Sequence, residues 1–302
     1  MKRSVSIEEI SDGKLYKNTD MARLDAGGCK GCSYCCREMT DTIILDPWDI
    51  YYLCKGLSEK NKSAASASLL ATGGRPATGT RIATESHTMP GSRPEMESQT
   101  VKENQTATES QTMTENRSAT ETVGTKQSIV TPETLFLEGK ISLSVFDGLT
   151  LPHLSMGKNG ACLFLDENER CSIHSFRPGF CRLFPLGRIY DDKGGFSYFL
   201  QTKECIKANR SKVKINKWLG ISNLPVYEKY VLKWHEITEK YSGEIMKMMS
   251  GISDGETKTT SERDGIEKAR KANMQLLQLF YFVPYDLNED FYRQFVERAE
   301  RL

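Results

Sequence analysis

The sequence predicts an α+β chain: a small cysteine-rich domain with short strands, interrupted by a disordered insertion and followed by a helical C-terminal region. Three observations carry this reading. Four of the nine cysteines fall within eight positions, in GGCKGCSYCCREM over residues 27–39, and four more are spread through short β-prone runs between 162 and 205. Between the two groups lies a polar, repetitive stretch. Beyond both, apolar residues recur at three- and four-residue steps.

Composition narrows the function classes first. The 302 residues carry 41 Lys and Arg against 40 Asp and Glu, so no overall field draws the chain to nucleic acid or to an anionic membrane surface. The opening MKRSVSIEEISDGKLYKN has no apolar run, so no secretory signal is expected. No stretch approaches the roughly 20 apolar residues of a membrane helix. The expected compartment is therefore the reducing cytoplasm, where clustered cysteines serve metal or redox chemistry rather than disulfides.

Four segments are expected: 1–57, the first half of a cysteine domain; 58–131, the insertion; 132–220, the second half; and 221–302, helical. In the first, Thr42–Leu45 is a short β-branched run. Asp46 then suits a helix N-cap, with Pro47 at the first helical position and Asp49 three residues after the cap. Ile50, Leu53, Cys54 and Leu57 share one helical face, which makes Cys54 a small buried hydrophobe. In the insertion, Glu85, Glu97, Glu109 and Glu121 recur every twelve residues, and Glu-Ser-x-Thr appears at 85, 97 and 109. So short a unit, almost without apolar residues, cannot bury enough surface to offset the entropy of ordering.

The second half carries GACLFLDENERCSIHSFRPGFCRLFPLGR over residues 160–188. ACLFLD and CSIH read as two strands joined by ENER, placing Cys162 and Cys171 on a hairpin. Cys181 follows in a turn built on Pro178 and Gly179, and Cys205 ends the strand in GFSYFLQTKEC. In the C-terminal region Val226, Tyr230, Trp234, Ile237, Tyr241, Ile245 and Met248 form an amphipathic stripe. GIEKARKANMQLLQLFYF and NEDFYRQFVERAERL read as two further helices, the last capped by Asn288 or Asp290.

With Cys54 set aside, the candidate metal ligands are Cys29, Cys32, Cys35, Cys36, Cys162, Cys171, Cys181 and Cys205. Two thiolates at a Cys-x-x-Cys gap converge on one ion from a tight turn, and Gly27, Gly28 and Gly31 give the backbone that freedom. Three at successive two-residue gaps are more typical of iron–sulfur loops than of zinc knuckles, so an iron–sulfur cluster, of the 4Fe-4S type, is expected over zinc. The Cys35–Cys36 doublet departs from the ferredoxin run. Adjacent side chains diverge, so the two serve different centres or one is not a ligand. Eight thiols fill two four-ligand sites, or one site with spare sulfurs. His153 and His174 read as ordinary loop histidines.

CKGCSYCC followed by CLFLDENERCSIHSFRPGFCRLFP resembles the YkgJ-type CxxCxxCC family of zinc- or iron-chelating cysteine-cluster proteins, and LDPWDI matches the segment after that family's first cluster. The resembling residues lie at about 24–57 and 150–207. The resemblance implies that Arg177 and Arg182, beside the thiolates, bind or compensate an anionic cofactor; a structural Arg–carboxylate pair is the alternative. The expected function is metal binding through two cysteine segments, for electron transfer or metal handling. Family relatives include flagellin lysine N-methylases, so the alternative is an S-adenosylmethionine-dependent methylation of a protein lysine on a substrate such as flagellin. Tyr190, Asp191, Tyr198 and Trp218 are the candidate lining of such a methyl-donor pocket. No Gly-x-Gly-x-x-Gly or Walker loop and no catalytic Ser/His/Asp pattern occurs.

Overall fold

In a computed structural model, the described residues are 6–25, 27, 31–37, 39–72, 129–202, 204–206, 211–250, 252 and 259–302. Cys29 and the Glu-Ser-x-Thr repeats lie outside them. The chain divides into two compact units, Met1–Ala64 with Ser128–Leu302, and Ala65–Gln127. Of the second unit only the end of one helix, through Thr72, is described.

The first unit is α+β, as its sequence predicts. After a single turn, α1 (Ile7–Ile10), come strands β1 (Ser11–Tyr16) and β2 (Met21–Leu24) and the long helix α2 (Pro47–Thr72). The cap of α2 is reciprocal: Asp46 Oδ1 accepts the Asp49 N–H at 2.9 Å, and Asp49 Oδ2 accepts the Asp46 N–H at 3.2 Å. Helix α2 does not stop at Leu57. It runs through the first fifteen residues assigned to the insertion, because KNKSAASASLL holds no helix breaker and is rich in alanine.

After α3 (Pro132–Leu137) a hairpin forms from β3 (Ile141–Phe146) and β4 (Leu149–Leu154), in full register from Ile141↔Leu154 to Phe146↔Leu149. Its two-residue turn is Asp147-Gly148, both at positive φ (48° and 81°), the geometry that an Asp-Gly pair favours. The Thr42–Leu45 run pairs with β4 over a single bridge, Ile44↔His153, flanked by Leu45 N–H to Pro152 O and Leu154 N–H to Ile43 O.

Past α4 (Gly179–Leu183), β5 (Leu186–Tyr190) and β6 (Phe196–Gln201) form a hairpin around Gly194, β6 ending at Gln201 short of Cys205, and β1 joins it antiparallel in the order β1-β6-β5. A second small sheet pairs β2 with β7 (Ser211–Lys214). These pairings tie the N-terminal residues to the far side of the insertion. Then follow α5 (Ile215–Leu219), α6 (Leu224–Met249), α7 (Thr260–Leu277) with a π-helical turn over Gln278–Phe282, and α8 (Phe291–Ala299). The expected stripe on α6 is the buried face: Tyr230, Trp234, Ile237, Tyr241 and Ile245 are all buried. Asp290, not Asn288, caps α8, accepting the Arg293 N–H at 2.9 Å. Among the described residues no helix is long and apolar enough to cross a membrane.

Candidate metal centre

The two cysteine segments meet despite the insertion between them. Cys35 and Cys36 sit on a 3-10 turn, Tyr34–Cys36, and the Cys36 carbonyl accepts the Cys162 N–H at 2.8 Å. Next to this bond, Arg37 bridges Ala161 in antiparallel fashion, and Met156 bridges Cys162. An ion pair between Arg37 and Glu169 adds a side-chain tie across the same seam. Upstream, Gly31 has φ +78°, the left-handed geometry that turns the chain toward Cys32.

The predicted hairpin of ACLFLD and CSIH is not formed as strands. Leu165 and Cys171 make one isolated bridge, and Ser172 N–H bonds the Phe164 carbonyl at 2.8 Å. The reason lies in the connecting residues. Asp166 Oδ1 accepts the N–H groups of Asn168 and Arg170, both at 2.9 Å, and this side-chain turn takes over bonds that a ladder would use. Residues 174–176 then coil into a 3-10 turn. Cys181 lies on α4, whose first residue, Gly179, donates its N–H to Asp49 Oδ1 at 2.6 Å. Asp49, read from the sequence only as the residue three after the Asp46 cap, thus also holds the Cys181 turn.

Six thiols line one cavity of about 50 Å3: Cys32, Cys35, Cys36, Cys162, Cys171 and Cys181. A smaller neighbouring cavity of about 20 Å3 is lined by Cys205 together with Cys32 and Cys35. Cys54 is in neither; it is buried on α2, as expected, and burial pushes its thiol up to about 12. Among the described residues no cysteine is in a disulfide. None of the described His, Cys, Asp and Glu side chains is grouped in threes that could hold a metal ion.

Burial governs the thiols of the larger cavity. Burial pushes the Cys181 thiol well above its ordinary range, and nearby Cys162, Asp49, Cys171 and Cys35 push it further. Burial also raises Cys162, against the opposing hydrogen bond from the Phe164 N–H. Burial thus keeps these thiols neutral, and a metal cation would have to take them as thiolates, with release of their protons.

The two arginines differ. Arg177 lines the larger cavity with His174; its Nη1 lies 2.6 Å from His174 Nε2, and its buried Nε has no hydrogen-bond partner. Arg182 is spent on main-chain carbonyls, donating to Arg177 O at 3.0 Å and Ser175 O at 2.7 Å, and it lies 5.9 Å from the Trp48 ring centroid. His153 is away from both cavities, bonded to Ser144 Oγ and the Leu154 carbonyl. His174 is the wall residue for which only a loop role was expected.

The four residues weighed for a methyl-donor pocket do not come together. Tyr190 stacks on His235 with ring centroids 3.5 Å apart and shares an open groove with Asp191. Tyr198 is buried and donates to Glu228 at 2.9 Å, while Trp218 borders the cavity beside Cys205.

Residues 87–211 match the family model described as "CxxCxxCC: Putative zinc- or iron-chelating domain". The matched range takes in Cys162, Cys171, Cys181 and Cys205; it begins after Cys29–Cys36, the run for which the family is named. No curated protein and no solved structure matches the chain.

Proposed function

We propose that, in a chain whose residues 87–211 match the zinc- or iron-chelating family model, the six-thiol cavity holds an iron–sulfur cluster and the protein is an electron-carrying or metal-handling module. The observation that carries the reading is the convergence itself. Six cysteines from segments more than a hundred residues apart line one cavity, sewn by the Cys162–Cys36 main-chain bond.

Size favours a cluster over a single ion. One water-sized body needs roughly 10–15 Å3, and the cavity offers about 50 Å3, room for several atoms. Charge favours it too. A cluster held by four thiolates is anionic, and the partnerless Arg177 Nε is a hydrogen-bond donor at its wall. When bound, the cluster supplies one-electron redox chemistry. The chain's own part is to exclude water, to hold the thiolates, and to set the local potential through Arg177 and the Asp49–Gly179 bond.

Anaerobic purification with iron, sulfide and zinc analysis tests this. The expected protein is brown, absorbs broadly near roughly 400 nm, and contains iron and acid-labile sulfide in equal amounts. Stoichiometric zinc in the larger cavity with no sulfide would replace the cluster by a zinc site.

A further inference from the structure

We infer that Tyr227 of α6, held in place by Arg188 of β5, is a positioning residue for Cys181. Its hydroxyl packs against the first residue of α4, so the C-terminal helices set where this thiol stands in the larger cavity. The inference rests on the reading above for what Cys181 does there, but the contact itself needs no bound metal.

Helix α4 is five residues long, too short to hold its own shape without outside support. Groups from three other elements supply it. At its start the Gly179 N–H donates to Asp49 Oδ1 of α2 at 2.6 Å. At its end the Leu183 carbonyl accepts the Trp218 Nε1–H of α5 at 3.4 Å. The third support is steric. A Cβ added to Gly179 would lie 2.5 Å from the Tyr227 hydroxyl oxygen, against 3.5 Å from Asp49 Oδ1 and 3.7 Å from Tyr227 Cζ. The hydroxyl therefore fills the space beside the Gly179 main chain, and Cys181 follows two residues later. Glycine stands at 179 for this close approach and not only to make a turn.

Tyr227 is locked in its turn. It is fully buried, and its ring meets Trp48 edge to face at 4.9 Å. Its hydroxyl accepts a hydrogen bond from Arg188 Nη2 at 3.2 Å, and the Arg188 guanidinium carbon lies 5.6 Å from both the Tyr227 and Phe196 ring centroids. A buried hydroxyl bonded to a charged donor does not swing aside as the tip of a surface side chain would. Crowding at 179 is thus passed to α4, and from there to Cys181.

A pair of substitutions tests the contact. Gly179→Ala should crowd the hydroxyl and displace α4. Tyr227→Phe removes that oxygen and leaves the nearest ring atom at 3.7 Å, an ordinary contact. Each variant is made in the full chain, stripped of metal and kept reduced, and iodoacetamide labelling of every cysteine is timed by peptide mass spectrometry. Gly179→Ala should speed labelling of Cys181 roughly tenfold and leave Cys54 unchanged. Tyr227→Phe alone should speed Cys181 only about threefold, and the double variant should fall back to that rate. If Gly179→Ala leaves Cys181 protected, or the double variant stays as reactive as Gly179→Ala, Tyr227 does not position this thiol. If all cysteines speed up together, the variants have lost the fold at large and the assignment is equally wrong. Should Gly179→Ala fail to fold, Tyr227→Phe decides alone, and an unchanged Cys181 rate overturns the inference. If the labelling order holds while wild type binds neither iron nor zinc, the cluster reading fails and the positioning role stands.

Discussion

The thiol-bearing turns and the C-terminal helices sit in one unit but hold together by different physics. Around the cysteines, regular structure is scarce: two 3-10 turns, a five-residue helix and isolated bridges, with polar turns at Asp166 and Asp49. Helices α6–α8 instead bury a continuous aromatic cluster. Tyr230 and Phe295 lie edge to face at 4.7 Å, and Trp234 meets Phe280 at 5.1 Å. Even the carbonyls freed by the π-turn are satisfied, since buried Arg298 donates to Leu279 O, Val283 O and Pro284 O at 2.7–2.8 Å. One region is held mainly by aromatic burial; the other has little regular structure of its own, and bound ligands would offset the entropy of ordering its turns.

Metal removal tests that contrast most severely. Structural metal binding is worth on the order of 10 kcal/mol, so chelation should cost the cysteine turns most of their order. Hydrogen exchange followed by mass spectrometry should show amides such as Cys162 and Gly179 losing protection, while α6–α8 keep theirs. Equal loss in both regions would mean a single cooperative unit.

The opposite perturbation acts on the helices. Phe280 is fully buried, and Phe280→Ala should cost about 3–5 kcal/mol in urea unfolding. The metal content of the folded fraction should not change. Loss of metal in proportion to stability would erase the distinction between the regions.

A third perturbation acts where α2 packs against the cysteine turns. Gly56 lies inside α2 under the Phe176 ring, and an added Cβ would overlap that ring. Gly56→Ala gains roughly 1 kcal/mol of helix propensity, but overpacking costs about 1–3 kcal/mol. The net loss of stability should thus be small. Because Phe176 adjoins Arg177 and His174, the shift should reach the larger cavity and appear as weaker metal retention under chelator competition. Unchanged retention would show that the wall yields without moving the thiols.

What the sequence revealed follows the same division. The stripe from Tyr230 to Ile245 was legible because helical periodicity repeats over many turns and one face must be buried. Asp46 with Pro47 marked the start of α2 for an equally local reason. The strands around Cys162 and Cys171 were misread because β-prone composition was credited where Asp166 binds its own following main chain instead. Strands β1 and β2 were not foreseen, since they are short and pair only with residues beyond the insertion. The β3–β4 hairpin had an Asp-Gly signal at 147–148 that could have found it. Spacing singled out the candidate thiols, but which of the described ones line which cavity depends on contacts that no local pattern encodes.

The smallest expected effect concerns the cysteine that belongs to the helical core and not to the site. Cys54→Ala should leave metal content unchanged, because Cys54 borders neither thiol cavity. At neutral pH the lost packing should cost about 1 kcal/mol. The deficit should then shrink with pH. Burial raises the Cys54 thiol to about 12 in the folded chain, whereas an unfolded thiol ionises near 8.5. A group raised on folding stabilises fully below its unfolded pKa, and that contribution is lost as pH climbs toward the folded value. Wild type should therefore lose roughly 1 kcal/mol between pH 8.5 and 9.5 that Cys54→Ala does not. Urea unfolding of both proteins, without oxygen at pH 7 and pH 9.5, should find them nearly equal at the higher pH. A constant gap would mean that the thiol is not held neutral in the fold.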